Sequence, residues 1–217
     1  NPHPPMWLAG MQPETYRIAA DKGLGVLSLS TGAPSEMAPY IKEYKENIKN
    51  ANPVGDVVND QWAHLAISHC GEDDRVAKDT AVNALKSFFG PDRPYTKGEG
   101  EVYKQLIKAW GGVPDHLKNQ FSWVLKEEEG SVPKSREARE TSVNPSGIDG
   151  FDRDTLSDRG VIIAGDPDSC KEGVRMHQNA GEDQILMLMQ LDTIPHEEVI
   201  NSIKLFGTEV LPEFKSD

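Results

Sequence analysis

A chain of 217 residues, 37% of them hydrophobic, is long enough to bury a core and short enough to form one domain. Its 23 Lys and Arg stand against 35 Asp and Glu, a formal net charge of −12, which argues against nucleic acid or an anionic membrane as the main partner. No apolar run approaches the length of a membrane span and the opening Asn1-Pro2-His3-Pro4-Pro5 lacks the regions of a signal peptide, so a cytoplasmic protein is expected.

Pro4 and Pro5 set an extended entry into Met6-Trp7-Leu8-Ala9, a compact apolar run suited to a buried strand. Gly10 lets the backbone turn, and Pro13 suits a first helical position because its missing N–H would have no partner there. Gly10, Met11, Gln12 and Thr15 thus form a candidate anion-binding corner, in which backbone N–H groups at Met11 and Gln12 and the Thr15 hydroxyl are the groups a phosphate would use. On geometry alone, the same residues also fit an ordinary strand-to-helix turn that binds nothing.

Gly23 to Ser30 reads as a second strand, with Ser28 and Ser30 at its end. Ser35 then caps a helix with Glu36 in its first turn and Met37, Tyr40, Ile41, Tyr44 and Ile48 at helical spacing. Asn50 to Gly55 breaks it. Gln61 to Cys70 reads as a third strand ending in His69 and Cys70, where a histidine would serve as an acid or base if partnered and is otherwise structural. A helix follows from about Glu72 to Phe89, with Val76, Thr80, Ala84 and Phe88 as its expected buried stripe.

Residues 90–159 interrupt this rhythm with two short helical patterns and a charged, turn-rich stretch, readable as an insertion that is either a solvated excursion or a lid. Gly160 to Gly165 is then a short apolar lead-in, Asp166 and Pro167 open a helix to about Asn179, and Gln184 to Gln190 reads as a buried strand. A closing helix runs from about Pro195 to Leu211, with Val199, Ile203, Phe206 and Val210 on one face. Cys70 and Cys170 lie far apart in sequence and form no metal pattern; each reads as a small, partly buried residue, and no metal site is expected. Four strands, each followed by a helix, fit either a small doubly wound sheet or half of a (β/α)8 barrel.

The opening PHPPMWLAGMQPETYRIAADKGLGVLSLS resembles the fifth and sixth strands of the luciferase-like (bacterial luciferase) flavin-dependent monooxygenases. GVIIAGDPDSCKEGVRMHQNAGEDQILMLMQ resembles that family's approach to its last helix and eighth strand, and VINSIKLFGTEVLPEF its closing helix and tail. The resemblance implies an α/β fold: the carboxyl-terminal half, about four β/α units, of a (β/α)8 TIM-type barrel, with 1–217 as one partial domain and 90–159 as an insertion or lid. It further implies reduced FMN, or in some members a deazaflavin, at the carboxyl ends of the strands, and oxygen and a small organic molecule as substrates. A separate flavin reductase would supply the reduced flavin.

The family's phosphate position, where the fifth strand turns into its helix, falls on Gly10, Met11, Gln12 and Thr15, and Ser28 would approach the flavin ring. Some relatives carry an acidic residue and a serine where Met11 and Gln12 stand. His69 is a candidate acid or base. The first four β/α units have no counterpart here, so the chain is expected to be a fragment that joins a separate amino-terminal half or associates with itself.

Overall fold

The short apolar runs become strands and the segments with helical periodicity become helices, in alternation. A computed structural model describes residues 3–29, 32–89, 108, 111–112, 152–191 and 194–214. The chain divides into two compact units, residues 1–86 with 147–217, and residues 87–146. Nearly all of the second lies outside the described residues, as does most of the expected insertion; the sheet and the helices packed on it belong to the first.

The elements in chain order are β1 (Trp7–Gly10), α1 (Pro13–Lys22), β2 (Gly25–Ser28), α2 (Pro34–Asn47), β3 (Trp62–Cys70) and α3 (Asp74–Phe89). After the undescribed stretch come α4 (Arg153–Asp158), β4 (Ile162–Gly165), α5 (Pro167–Ala180), β5 (Gln184–Leu188) and α6 (His196–Leu205). A π-helical turn, Phe206–Val210, and a 3-10 turn, Leu211–Phe214, extend α6. No helix among the described residues is long and apolar enough to cross a membrane.

All strand pairings are parallel, which requires helical crossovers on the sheet face. β1 pairs with β2 from Trp7 opposite Gly25 to Gly10 opposite Ser28. β3 is the hub. Ala63 and His64 are flanked by β2 and β5, while Ile67 is flanked by β4 and β5, so β2 and β4 occupy successive stretches of one edge and β5 the other. The segment read from sequence as a lead-in, Gly160 to Gly165, is therefore a fifth strand in its own right.

Side chains alternate across a strand, so Trp62, His64, Ala66 and Cys70 share the face of β3 that meets the helices. Among the described residues, two apolar clusters fill that layer. In the first, Tyr16, Ala19 and Ala20 of α1 and Met37, Ile41 and Tyr44 of α2 close over Val26 and Trp62. The Trp62 ring lies 4.6 Å from Tyr16 and 5.5 Å from Tyr44, tilted or edge-on, as aromatic quadrupoles prefer. The Tyr44 hydroxyl lies within 2.9–3.3 Å of the carbonyls of Leu24, Asn59 and Gln61, tying α2 to the chain entering β2 and β3. In the second, Ala66, Cys70 and Ile163 of the sheet pack against Cys170 and Val174 of α5 and Phe206 and Val210 beyond α6.

Three local expectations shift. Helix α2 begins at Pro34, with Ala33 rather than Ser35 at its cap; Glu36 reaches back to accept the Ala33 N–H at 3.1 Å. Among the described side chains of α3 the buried ones are Ala77, Ala81, Val82, Ala84 and Leu85, whereas Val76 is 61% exposed. The buried face of the helix is mostly alanine, and Val76 falls off it. At the closing helix Ser202 replaces Ile203 on the buried face, because its Oγ accepts the Cys70 N–H at 2.8 Å.

Candidate functional site

The corner at the end of β1 takes its shape from Gly10. A Cβ there would sit 2.4 Å from Cγ2 of Thr15, so only glycine lets Thr15 lie over the strand end. Gln12 is the N-cap, extended at φ −108° and ψ 142°, and its side chain makes no capping bond. Its carbonyl takes the first helical donors, Thr15 N–H at 2.9 Å and Tyr16 N–H at 3.4 Å. The amides of Met11, Gln12 and Glu14 precede that ladder, and Pro13 has none to offer. Met11 and Gln12 are exposed and Thr15 is half-buried. The structure thus brings Gly10, Met11, Gln12 and Thr15 together as one uncapped, solvent-facing helix start.

Ser28 lies beside Gly10 in the sheet, but its fully buried hydroxyl faces Tyr16, whose own hydroxyl is 3.3 Å away. It is placed between the sheet and the helices. The Tyr16 phenol is held above its ordinary pKa, chiefly by burial.

His69 is buried at the end of β3, and its Nδ1 has no hydrogen-bond partner. Burial lowers its pKa, with Glu198 opposing, so the imidazole is neutral at physiological pH. Among the described residues its Nδ1 has no hydrogen-bond partner, and Glu198 is the carboxylate that acts on the ring. Gln190 directs its amide to its own turn, near the carbonyls of Leu191 and Ile194 at 3.5 Å.

Two polar clusters were not anticipated. At the carboxyl ends of β3 and β4, Asp74 Oδ1 accepts Ser169 Oγ–H at 2.6 Å and Asp166 N–H at 3.3 Å, while Oδ2 meets Lys78 at 2.8 Å. The carboxylate occupies the start of α5, where the dipole favours a negative charge, and its pKa is lowered by these partners despite the opposing cost of burial. Gly165, at φ 133°, makes room for it: a Cβ there would lie 2.3 Å from Asp74 Oδ1.

Toward the amino end of β3, His64 packs 5.0 Å from the His177 ring. His177 Nδ1 is 2.8 Å from Glu182 Oε2, and its Nε2 donates to the Gly160 carbonyl at 3.0 Å. The other Glu182 oxygen lies 3.7 Å from His64 Nδ1, and neither atom has a hydrogen-bond partner. Burial, with His177 nearby, pushes the His64 pKa down to about 3, while burial raises that of Glu182 against the hydrogen bond from His177. This cluster joins α5 to the sheet two strands over from the corner, on the row that runs from Gly10 through Ser28 to His64. Among the described residues no group of His, Cys, Asp and Glu is arranged to hold a metal ion.

The family model for luciferase-like monooxygenases matches residues 1–184. The chain belongs to that family. Its fold is shared with the monooxygenase RslO1 from Streptomyces bottropensis, at 15% identity and a TM-score of 0.59, covering 98% of this chain and 49% of that one. The coenzyme F420-dependent tetrahydromethanopterin reductase from Methanopyrus kandleri matches at 20% identity and a TM-score of 0.54, over 97% and 51% of the two chains. The oxygenating constituent of 3,6-diketocamphane monooxygenase from Pseudomonas putida, solved with FMN, matches at 16% and 0.53, over 99% and 50%. This luciferase-like chain therefore spans about half the length of each of these structures. No curated protein sequence matches it.

Proposed function

We propose that this chain supplies the flavin-phosphate half of a luciferase-like monooxygenase barrel, holding FMN at the β1–α1 corner. The observation that carries the reading is the coincidence, within a family match over residues 1–184, of an uncapped helix start with a glycine that a Cβ would fill. The phosphate would be held by the amides of Met11, Gln12 and Glu14 and the Thr15 hydroxyl, at the positive end of α1. Exposed Glu14 in the same turn disfavours a dianion at close range, so the backbone carries the contact. Bound reduced FMN would supply the electrons with which oxygen oxidises a small organic substrate. Neutral His69, at the carboxyl end of β3, offers an unpartnered ring nitrogen to a substrate or flavin group there.

The outer edges of β1 and β5 pair with no strand among the described residues, and Trp7 and Leu186 on these strands are 38% and 40% exposed. Four further β/α units, on this or another polypeptide, would pair those edges, and self-association is the alternative. A deazaflavin is the second reading of the cofactor, supported by the F420-dependent fold neighbours. A non-catalytic flavin-binding half is the third.

The test is oxygen consumption by this chain, alone and mixed with an amino-terminal half, with reduced FMN delivered by a flavin reductase. Substrate-dependent consumption above the flavin-only rate supports the proposal. Equal rates with saturating flavin bound would leave a binding protein, and tighter binding of F420 than of FMN would move the reading to a deazaflavin enzyme.

A further inference from the structure

Cys70 and Cys170 lie almost half the chain apart in sequence yet meet beneath the carboxyl end of the sheet. Cys70 is the last residue of β3 and Cys170 lies in the first turns of α5; they are 2% and 0% exposed and belong to one cluster with Ala66, Ile163 and Phe206. The Cys170 thiol lies 3.9 Å from the His69 carbonyl and 3.7 Å from that of Gly165, which are the residue before Cys70 and the residue paired with it across β3 and β4. Both sulfurs are free thiols packed in that one cluster, with no disulfide between them. Neighbouring backbone is held independently: Cys70 N–H donates to Ser202 Oγ at 2.8 Å and Cys170 N–H to the Asp166 carbonyl at 2.9 Å. Such an arrangement restricts the relative motion of the two sulfurs.

We propose that Cys70 and Cys170 are a peroxide-responsive dithiol that closes into a disulfide, joining the end of β3 to the start of α5. Chemistry assigns their roles. The Cys170 S–H faces the His69 and Gly165 carbonyls, which hold its proton in place. The adjoining Cys170 thiol favours the Cys70 thiolate against burial, Asp166 and Glu209, whereas the adjoining Cys70 and burial raise the Cys170 thiol. Cys70 sulfur therefore attacks one oxygen of a hydroperoxide, whose O–O bond breaks to leave Cys70 as a sulfenic acid and an alcohol, or water from hydrogen peroxide. Cys170 sulfur then attacks the Cys70 sulfur, the S–O bond breaks, and water leaves with the Cys170 proton. Two thiols are oxidised by two electrons and one peroxide is reduced. Because both sulfurs are enclosed, the reaction awaits local opening and is slow.

The experiment treats the folded chain with excess hydrogen peroxide, blocks remaining thiols after unfolding, and maps the peptides with and without dithiothreitol. The expected result is loss of both blockable thiols, one intramolecular Cys70–Cys170 peptide pair about 2 Da lighter than the two reduced peptides, recovery on reduction, and a higher Tm for the oxidised chain. Cys170→Ala should instead trap Cys70 as a sulfenic acid, captured by dimedone. Two blockable thiols after exposure that oxidises a control dithiol would overturn the proposal, as would crosslinks only between chains or sulfinic acid at either position in place of the disulfide.

Discussion

His64 should make the fold lose stability as pH falls, and a substitution isolates the effect. The ring is 2% exposed, its Nδ1 has no hydrogen-bond partner, and burial beside His177 drives its pKa down to about 3. An unfolded histidine titrates near 6.5, so below that pH the unfolded chain takes a proton that the folded chain refuses. The stabilising contribution of the neutral ring is complete above about pH 6.5 and is lost as pH falls, at about 1.4 kcal/mol per unit. Between about pH 7.5 and pH 5 the loss is about 2 kcal/mol, and any folded value below about 4 gives nearly the same figure.

Glu182, the carboxylate facing His64 and His177, works in the opposite sense, since its raised pKa adds stability as pH falls through the folded value. The comparison is therefore between the native chain and His64→Leu, which removes the titrating ring without removing a hydrogen bond. Urea unfolding at the two pH values should show the difference between the two proteins shift by about 2 kcal/mol in favour of leucine at the lower pH. Parallel pH profiles, or a His64 ring proton in NMR spectra that titrates near pH 6.5, would refute the reasoning.

Three further outcomes rest on contacts in the same unit. His177→Ala leaves the enclosed Glu182 carboxyl without its 2.8 Å donor and should cost about 3–5 kcal/mol in urea unfolding, whereas Glu182→Gln, whose amide can donate to a neutral His177 Nδ1, should cost about 1 kcal/mol. Gly10→Ala forces a Cβ to 2.4 Å from Thr15 Cγ2 and should cost about 1–3 kcal/mol, partly recovered by adding Thr15→Ser; equal stability of the single and double variants would count against the close contact. Gly165→Ala combines φ 133° with a Cβ 2.3 Å from Asp74 Oδ1, so amide exchange at Gly71, whose N–H donates to the Gly165 carbonyl, should accelerate by at least about tenfold.

The alternation of strands and helices was legible because most strands are short apolar runs bounded by glycine or turn residues, as in Met6 to Gly10, and the longer helices show a periodic stripe. Gly160 to Gly165 read as a lead-in to the helix that Asp166 and Pro167 open; the β3 edge beyond His64, left free by β2, makes its last four residues a strand. Val76 and Ile203 misled because hydrophobicity alone does not fix a helix's rotation; at the closing helix the Cys70 N–H, donating to Ser202 Oγ, turns that polar residue inward. At the corner, Gly10, Pro13 and Thr15 announced the turn from their own stereochemistry. Ser28 did not reveal its side of the sheet, since the Tyr16 hydroxyl that captures it comes from another element. Clusters such as His64, His177 and Glu182, or Cys70 and Cys170, bring together residues distant in sequence and become visible only once strand register is known.

The most direct test of the flavin-phosphate assignment is calorimetric titration of this chain and Thr15→Ala with FMN and with riboflavin, which lacks the phosphate. The account predicts that FMN binds at least about tenfold more tightly than riboflavin, and that Thr15→Ala weakens FMN by roughly fivefold while leaving riboflavin unchanged, as loss of one hydrogen bond to a charged group requires. Equal affinities for FMN and riboflavin, or FMN binding indifferent to Thr15, would contradict it.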